Sequence, residues 1–578
     1  VQAALAQVAL RAASCRLRCA EQVTHMATLS SPLMQEEGRR PKDLGKIGII
    51  GGGVAGTAAA RVLLAEGADV TVFEKAATLG GVWAQGYSGF GVQVPASLYE
   101  FPDEPFTGGD FASGEKINKY IWDYAEKHGV TQVTMFSTEV TQLEQEAGTY
   151  RWHLRAQRQG GDVEMYTFDL VLLATGVYSP TKKNMPEISG AHEFLGKVCH
   201  SVDFSDADMK QCAGKNVITV GYGKSAFDCA EFSSEVAASS TLLFREAHWP
   251  VPRKILGLIP FEYATFNRLG GALLLPGYPN MGPLEWMLHK IPYLLNFVWW
   301  LVSAIFSLQF GFHTVPDMMP EKPFIEDFWQ AAGVLPRPEF FSKVRRGSIS
   351  AVKGSIKSLK RGTVELMNGE ELPCDMLIMA TGYKSEVDPL VPAALRAKEE
   401  KDGLWLYRQM IDPEFPTLVF LNSNVTTFTN ITTCALQARW LLEMFIGDLL
   451  PSREEMDAAI CEKQQWKRAN TPHCANSSKM MQTHQVHYYD ELLKDMGASI
   501  RRKRGAFASF KEFADPYRPR DYDTIVTGEF KDRPRERAVP GARQRNFLLE
   551  GLVVVLQLLA AGMAVRLACH PEQVGALF

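Results

Sequence analysis

The chain has 578 residues, 46% of them hydrophobic, with 61 basic against 65 acidic side chains. That length is enough for two or more domains with sizeable cores, and the near-neutral balance offers no basic face for nucleic acid. Its ten cysteines include no Cys-x-x-Cys pair and no Cys/His cluster of zinc spacing. A dithiol redox centre is therefore excluded, no metal site is predicted, and a reducing compartment suits the composition.

Residues 1–45 show no strand or helix period leading into a core. The first 25 carry Arg11, Arg16 and Arg18 against Glu21, so this stretch is either a targeting segment or an upstream extension of a natural-looking leader that begins at Met26. The first strong element is an apolar strand, Lys46-Ile-Gly-Ile-Ile50, which runs into Gly51, Gly53 and Gly56, then a helical pattern, then a second strand ending at Glu74. The same device recurs at Asn216-Val-Ile-Thr-Val220, with Gly221, Gly223 and Ala226, then Thr241-Leu-Leu-Phe244 and Arg245. In such a unit the first glycine makes the tight turn and the second lets backbone approach a pyrophosphate. The third small residue packs helix on strand, so that the helix N-terminus faces phosphate. The strand-before, helix-after context makes both copies specific.

The endings of the two copies differ. Glu74 lies 23 residues after Gly51, where a carboxylate accepts from a ribose hydroxyl; Arg245 lies 24 residues after Gly221, where a guanidinium pairs with a 2′-phosphate. The chain thus reads as holding one unphosphorylated and one phosphorylated dinucleotide, with FAD and NADPH the natural pair. Ser225 and Arg245 are the candidates for NADPH phosphates, and Lys224 sits beside the same turn. Asp169-Leu-Val-Leu-Leu-Ala-Thr175-Gly176 and Asp375-Met-Leu-Ile-Met-Ala-Thr381-Gly382 are a further echo. Both are apolar strands ending in small residues, which suits backbone passing close to a nucleotide.

The predicted fold is α/β with two Rossmann-like dinucleotide-binding domains, the NADPH domain being inserted into a discontinuous FAD domain. The expected boundaries are a leader at 1–45, FAD domain at 46–212, NADPH domain at 213–365 with an apolar helical insert near 255–345, FAD domain again at 366–530, and a basic linker with apolar tail at 531–578. Residues 291–312 carry no charge and are long enough to span a bilayer. A span is rejected because sequence needed for the soluble core lies on both sides. A buried core helix is the leading expectation; a substrate-tunnel lid and an interfacial helix, which Trp299 and Trp300 favour, stay open. Residues 547–569, after a run of arginines, form a second candidate membrane contact. The expected location is cytoplasmic or at the endoplasmic-reticulum membrane, with organelle targeting by residues 1–25 also open.

Phe194-Leu-Gly196-Lys-Val-Cys-His200-Ser-Val-Asp-Phe204, between the two units, resembles the identifying motif of the flavin-containing monooxygenases. Gly80-Gly81-Val-Trp83, Ala380-Thr-Gly-Tyr383 and Leu436-Gln-Ala-Arg-Trp440 resemble further motifs of that family, in order, so that the resemblance covers roughly residues 46–450. It implies that NADPH reduces the flavin, that NADP stays bound, and that oxygen adds to give a flavin hydroperoxide, which a nitrogen or sulfur centre of a small molecule attacks. Gly81, Trp83, Thr175, Gly176, Thr381 and Gly382 join the cofactor-binding set on this basis. Two departures stand out. Where relatives carry Asn-x-Pro, this chain has Gln93-Val-Pro95, which makes Gln93 the candidate hydrogen-bonding residue near the flavin. Where relatives carry glycines and proline, it has a polar run from Asn422 to Thr433, either lining the flavin site or solvated. Carbonyl-directed chemistry (Baeyer–Villiger or keto-acid oxidation) is an alternative, as is an uncoupled NADPH oxidase, although Baeyer–Villiger enzymes usually carry Trp where this chain has Phe204, which argues against the first. His200 is expected to act structurally, its motif setting the angle between the cofactors.

Overall fold

The computed structural model describes residues 44–178, 182–279, 281–331, 333–384, 388–422, 425–426, 429–471, 481–482, 484–505 and 507–532. The predicted leader up to residue 43 and the tail at 547–569 lie outside them.

Two five-stranded parallel sheets organise the chain. The first runs, edge to edge, Leu418–Phe420, Leu170–Leu173, Lys46–Ile50, Asp69–Phe73 and Thr134–Met135. Its strands are continuous apolar runs because both faces are covered. Ile47, Ile49, Val70 and Val72 face the helices Val54–Ala65 and Asn430–Ile446. Ile50, Phe73, Val171 and Leu173 face an antiparallel sheet, Thr138–Gln145, Trp152–Arg158 and Val163–Phe168, through its buried Trp152 and Leu154.

The second sheet runs Ser350–Lys353, Ser239–Phe244, Asn216–Val220, Met376–Met379 and Lys197–His200. A smaller antiparallel sheet, Ile356–Leu359, Thr363–Leu366 and Glu371–Pro373, packs Leu359, Val364 and Leu366 against one face. The wiring matches that of the first sheet. Each glycine-bearing strand lies between the strand that ends in Glu74 or Arg245 and the strand that ends in Ala-Thr-Gly. This bears out the α/β class with two Rossmann-like units.

The expected boundaries need correction. Strand Lys197–His200 lies before 213 and Met376–Met379 after 365, yet both belong to the second sheet. A parallel sheet takes its strands from wherever hydrogen-bonding edges meet, and a period-based boundary does not register that. The core-helix expectation for 291–312 is also overturned. Helix Pro292–Phe310 is the one described helix with the length and apolarity to cross a membrane, yet only 17% of its apolar window is buried. Phe306 and Phe310 pack inward, whereas Tyr293 is 85% exposed, Trp300 63% and Leu308 71%. The helix is apolar all round, so its composition gives no sign of how little of it the protein covers.

Candidate functional site

The first turn is fixed by close packing. Gly51 sits at φ +109, and a Cβ there would stand 2.5 Å from the Ala174 carbonyl oxygen; one on Gly56 would stand 1.9 Å from that of Gly51. In the second turn Gly221, at φ +136, would put a Cβ 2.4 Å from the Ala380 carbonyl oxygen. The two Ala-Thr-Gly strand ends therefore press on the first glycine of each signature. Sequence reasoning recorded the echo but missed this reciprocal contact, which the repeated spacing could have revealed. The middle glycines behave differently. A Cβ on Gly53 meets nothing nearer than Gly81 Cα at 3.7 Å, and one on Gly223 meets nothing within 4 Å. Positions 176 and 382 are equally open. These are spaces that protein packing leaves and side chains would fill, as a dinucleotide backbone requires.

Glu74 is buried at its strand end, its two carboxylate oxygens accepting from Gly52 N and Ala76 N, both at 2.7 Å. It lies beside the first turn. Gly81 crosses over Gly53, and Trp83 donates from Nε1 to the Tyr99 hydroxyl at 2.8 Å while stacking on Phe90. Thr175 donates to Asp388 at 2.7 Å, and Thr381 bonds the Asn184 carbonyl. Arg245 is exposed and has no protein acceptor among the described residues. That leaves its guanidinium available for a phosphate.

Lys224 departs from expectation. Its ammonium pairs with the fully buried Asp228 one turn along the helix Lys224–Ser233, and burial pulls its pKa down. Asp228 also accepts from Tyr87 at 2.8 Å and from Arg337 at 3.3 Å. A carboxylate this deep holds its charge only when paired, so Lys224 is committed to it and is not offered to the turn. Sequence reasoning missed Asp228; the signal was an acid four residues after a lysine, on the helix face that meets the sheet.

His200 is a satisfied core residue. Nδ1 accepts from Val202 N at 3.3 Å, which leaves the Nε2 proton to be donated to the Gly382 carbonyl at 2.8 Å. Burial lowers its pKa, so the ring is neutral. The surrounding motif is set by contact: a Cβ on Gly196 would meet the Asp375 carbonyl at 2.5 Å, and Phe204 is fully buried among Cys199, Cys212, Cys229 and Met376. The described cysteines are free, and burial raises the thiols of Cys199 and Cys212 to about 11. They are inert at neutral pH.

Gln93 Oε1 accepts from Leu335 N at 3.1 Å, which leaves its amide Nε2 as a donor. Pro95 and Pro336, close by in sequence, line a cavity of about 520 Å³ between the first unit and the insert, walled by Phe111, Phe310 and Phe341. In the polar run after Asn422, Thr429 and Thr433 are buried and bond the Tyr489 hydroxyl at 2.6 and 2.8 Å, so this end of the run is core rather than solvated loop. Among the described residues no group of His, Cys, Asp and Glu could hold a metal ion.

Two dinucleotide turns of opposite charge preference, joined by a motif that ties one to the other, define a flavoprotein oxidoreductase that uses a nicotinamide nucleotide. The chain belongs to the flavin-binding monooxygenase-like family, whose pattern matches residues 44–290 and 331–503. It is similar to the probable flavin-containing monooxygenase 1 of Arabidopsis thaliana, 26% identical over 82% of this chain and 96% of that protein. It is also similar to flavin-containing monooxygenase 3 of Homo sapiens, 27% identical over 78% and 83%. Among solved structures, the fold is shared with the polycyclic ketone monooxygenase of Thermothelomyces thermophila (TM-score 0.63, 16% identity, 85% of this chain and 91% of that one). An oxidized steroid monooxygenase bound to NADP shares it as well (TM-score 0.60, 18% identity, 78% and 97%). The protein is thus an FAD-dependent, NADPH-using monooxygenase, as its two turns predict.

Proposed function

We propose that the enzyme transfers one oxygen atom of O2 to a nitrogen or sulfur centre of a small molecule. Bound FAD, reduced by NADPH, supplies the oxygen activation; the chain supplies binding, orientation and exclusion of water. Gly51, Gly53, Gly56, Gly81, Trp83, Thr175 and Gly176 hold the FAD, with Glu74 on its ribose. Gly221, Gly223, Ser225, Thr381 and Gly382 hold the NADPH, with Arg245 on its 2′-phosphate. Gln93, its amide oxygen occupied by Leu335 N, keeps its Nε2 as a donor two residues before Pro95, which lines the cavity. His200 positions the Ala-Thr-Gly-Tyr turn through Gly382 and takes no part in proton transfer.

The observation that favours nitrogen or sulfur over a carbonyl substrate is Phe204, fully buried in a thiol-lined pocket where Baeyer–Villiger relatives carry Trp. The test is NADPH-dependent incorporation of labelled oxygen into thioanisole, N,N-dimethylaniline and cyclohexanone. Sulfoxide or N-oxide without lactone is expected. Lactone as the main product would overturn the reading, and hydrogen peroxide equal to the NADPH consumed would make the protein an oxidase.

The exposed helix Pro292–Phe310, with Trp286 just before it, is uncharged, rich in Trp, Tyr and Phe, and lies in the stretch between the two family-matched segments. We propose that it rests on a membrane surface.

A further inference from the structure

The 520 Å³ cavity has an unbalanced lining. Arg253, Lys254, Arg337 and Arg345 contribute cations, against the carboxylates of Asp110 and Glu262. Most of these charges are already engaged. Arg337 is spent on Asp228 and on the Gly89 carbonyl at 2.8 Å, Arg345 donates to the Phe310 carbonyl at 2.8 Å, and Asp110 accepts from Ala96 N at 3.1 Å. Burial raises the pKa of Glu262, and Asp110 adds to the rise, while Arg518 works against it.

Arg253 is different. Its guanidinium lies 3.8 Å over the Phe111 ring, its Nε is buried with no acceptor, and no carboxylate pairs with it among the described residues. Burial first and the neighbouring Arg337 second press its pKa down, against a pull the other way from Asp228 and Glu231, neither of which reaches it as an ion pair. A half-buried guanidinium whose Nε is shut off from water with no acceptor is costly, and a π face offsets only part of that cost. A planar fork of N–H donors on a cavity wall is the complement of a carboxylate.

We propose that this cavity is the substrate site and that it takes a carboxylate-bearing small molecule, with Arg253 as the anion anchor. This rests on the nitrogen or sulfur reading above. The carboxylate end would be held against Arg253 while the apolar walls Phe111, Phe310 and Phe341 take the body of the molecule.

(Phenylthio)acetate and its methyl ester differ in charge and share one sulfur, so they serve as probes. Calorimetric titration of the FAD-loaded enzyme at saturating NADP should show the acid binding about tenfold or more tighter than the ester. Arg253→Gln should bring that ratio close to one, and Arg253→Lys should retain part of it, which separates charge from misfolding. Sulfoxide yield with both probes is measured in parallel. Equal binding of acid and ester by the unaltered enzyme overturns the proposal. So does a rise in the KM for NADPH in Arg253→Gln, since the guanidinium would then serve the dinucleotide. Selective binding of the acid without sulfoxide sustains the carboxylate site and sinks the sulfur reading instead; sulfoxidation of both probes at one rate does the reverse.

Discussion

Gly53 and Gly223 cap their helices in extended conformations open to any residue, φ −75 and −88, and a Cβ would clash with no protein atom: it meets only Gly81, at 3.7 Å, beside the first and nothing within 4 Å beside the second. Nothing in the fold requires glycine there, so the requirement comes from what passes close to the backbone. Gly56 is the opposite case, because its Cβ would sit on the Gly51 carbonyl. Gly223→Ala should therefore change stability by no more than about 1 kcal/mol, yet raise the KM for NADPH about tenfold or more through displacement of the pyrophosphate. Gly56→Ala should instead yield protein that does not retain FAD. Flavin absorbance, thermal melts and NADPH kinetics on both variants check this; an unchanged KM in Gly223→Ala would remove the close approach. Arg245, exposed and unpaired, supports a sharper prediction. Loss of a charge-assisted phosphate contact costs about 1.5–3 kcal/mol, so Arg245→Ala should raise the KM for NADPH roughly 10- to 100-fold and leave that for NADH nearly unchanged. An equal effect on the two nucleotides would place Arg245 away from the 2′-phosphate.

The glycine-strand-helix elements were legible because each residue in them answers to a local geometric demand, and the structure builds both where the spacing puts them. What was not legible depended on distant neighbours. Asp228 and Tyr87 are 141 positions apart in sequence and meet only through the fold. Arg253 acquires meaning from Phe111, on another element. The helix Pro292–Phe310 shows the same limit, since its composition suits a core, a membrane or a lid and only its placement decides. With Tyr293, Phe297, Trp300 and Leu308 exposed, it should contribute to vesicle binding. Phe297→Ser/Trp300→Ser/Leu308→Ser should lower the fraction of full-length protein that sediments with phosphatidylcholine–phosphatidylserine vesicles several-fold, at unchanged FAD content. Undiminished sedimentation would assign membrane contact elsewhere.

At the scale of the whole molecule, one short loop of the first unit bonds both the second unit and the insert. Tyr87 bonds Asp228, Ser88 N donates to the Phe204 carbonyl at 2.8 Å, and the Gly89 carbonyl accepts from Arg337. The insert is anchored separately, by Arg268 on Asp490 at 2.6 and 3.1 Å and by the Tyr517 N bond to the Phe266 carbonyl. His484 lies in that second junction. Its Nε2 proton goes to the Thr265 carbonyl at 2.7 Å while Nδ1 is buried with no partner. Burial, with Arg268 nearby, lowers its pKa to about 4; the adjoining His487 is lowered by burial too and stands 3.6 Å from Glu285. The sign follows from where each state takes up the proton. Unfolded, His484 protonates near pH 6.5; folded, it stays neutral until about pH 4. Stability is therefore complete above pH 6.5 and drains away between there and pH 4, by roughly 2 kcal/mol at pH 5 for this residue alone. Most carboxylates titrate below that window, so the melting temperature should fall between pH 7 and pH 5 with the histidines dominating. His484→Gln, whose amide can still donate to Thr265, should flatten that slope. A slope identical to that of the unaltered enzyme would mean that the junction accommodates a proton on Nδ1, and the insert would then not loosen on acidification.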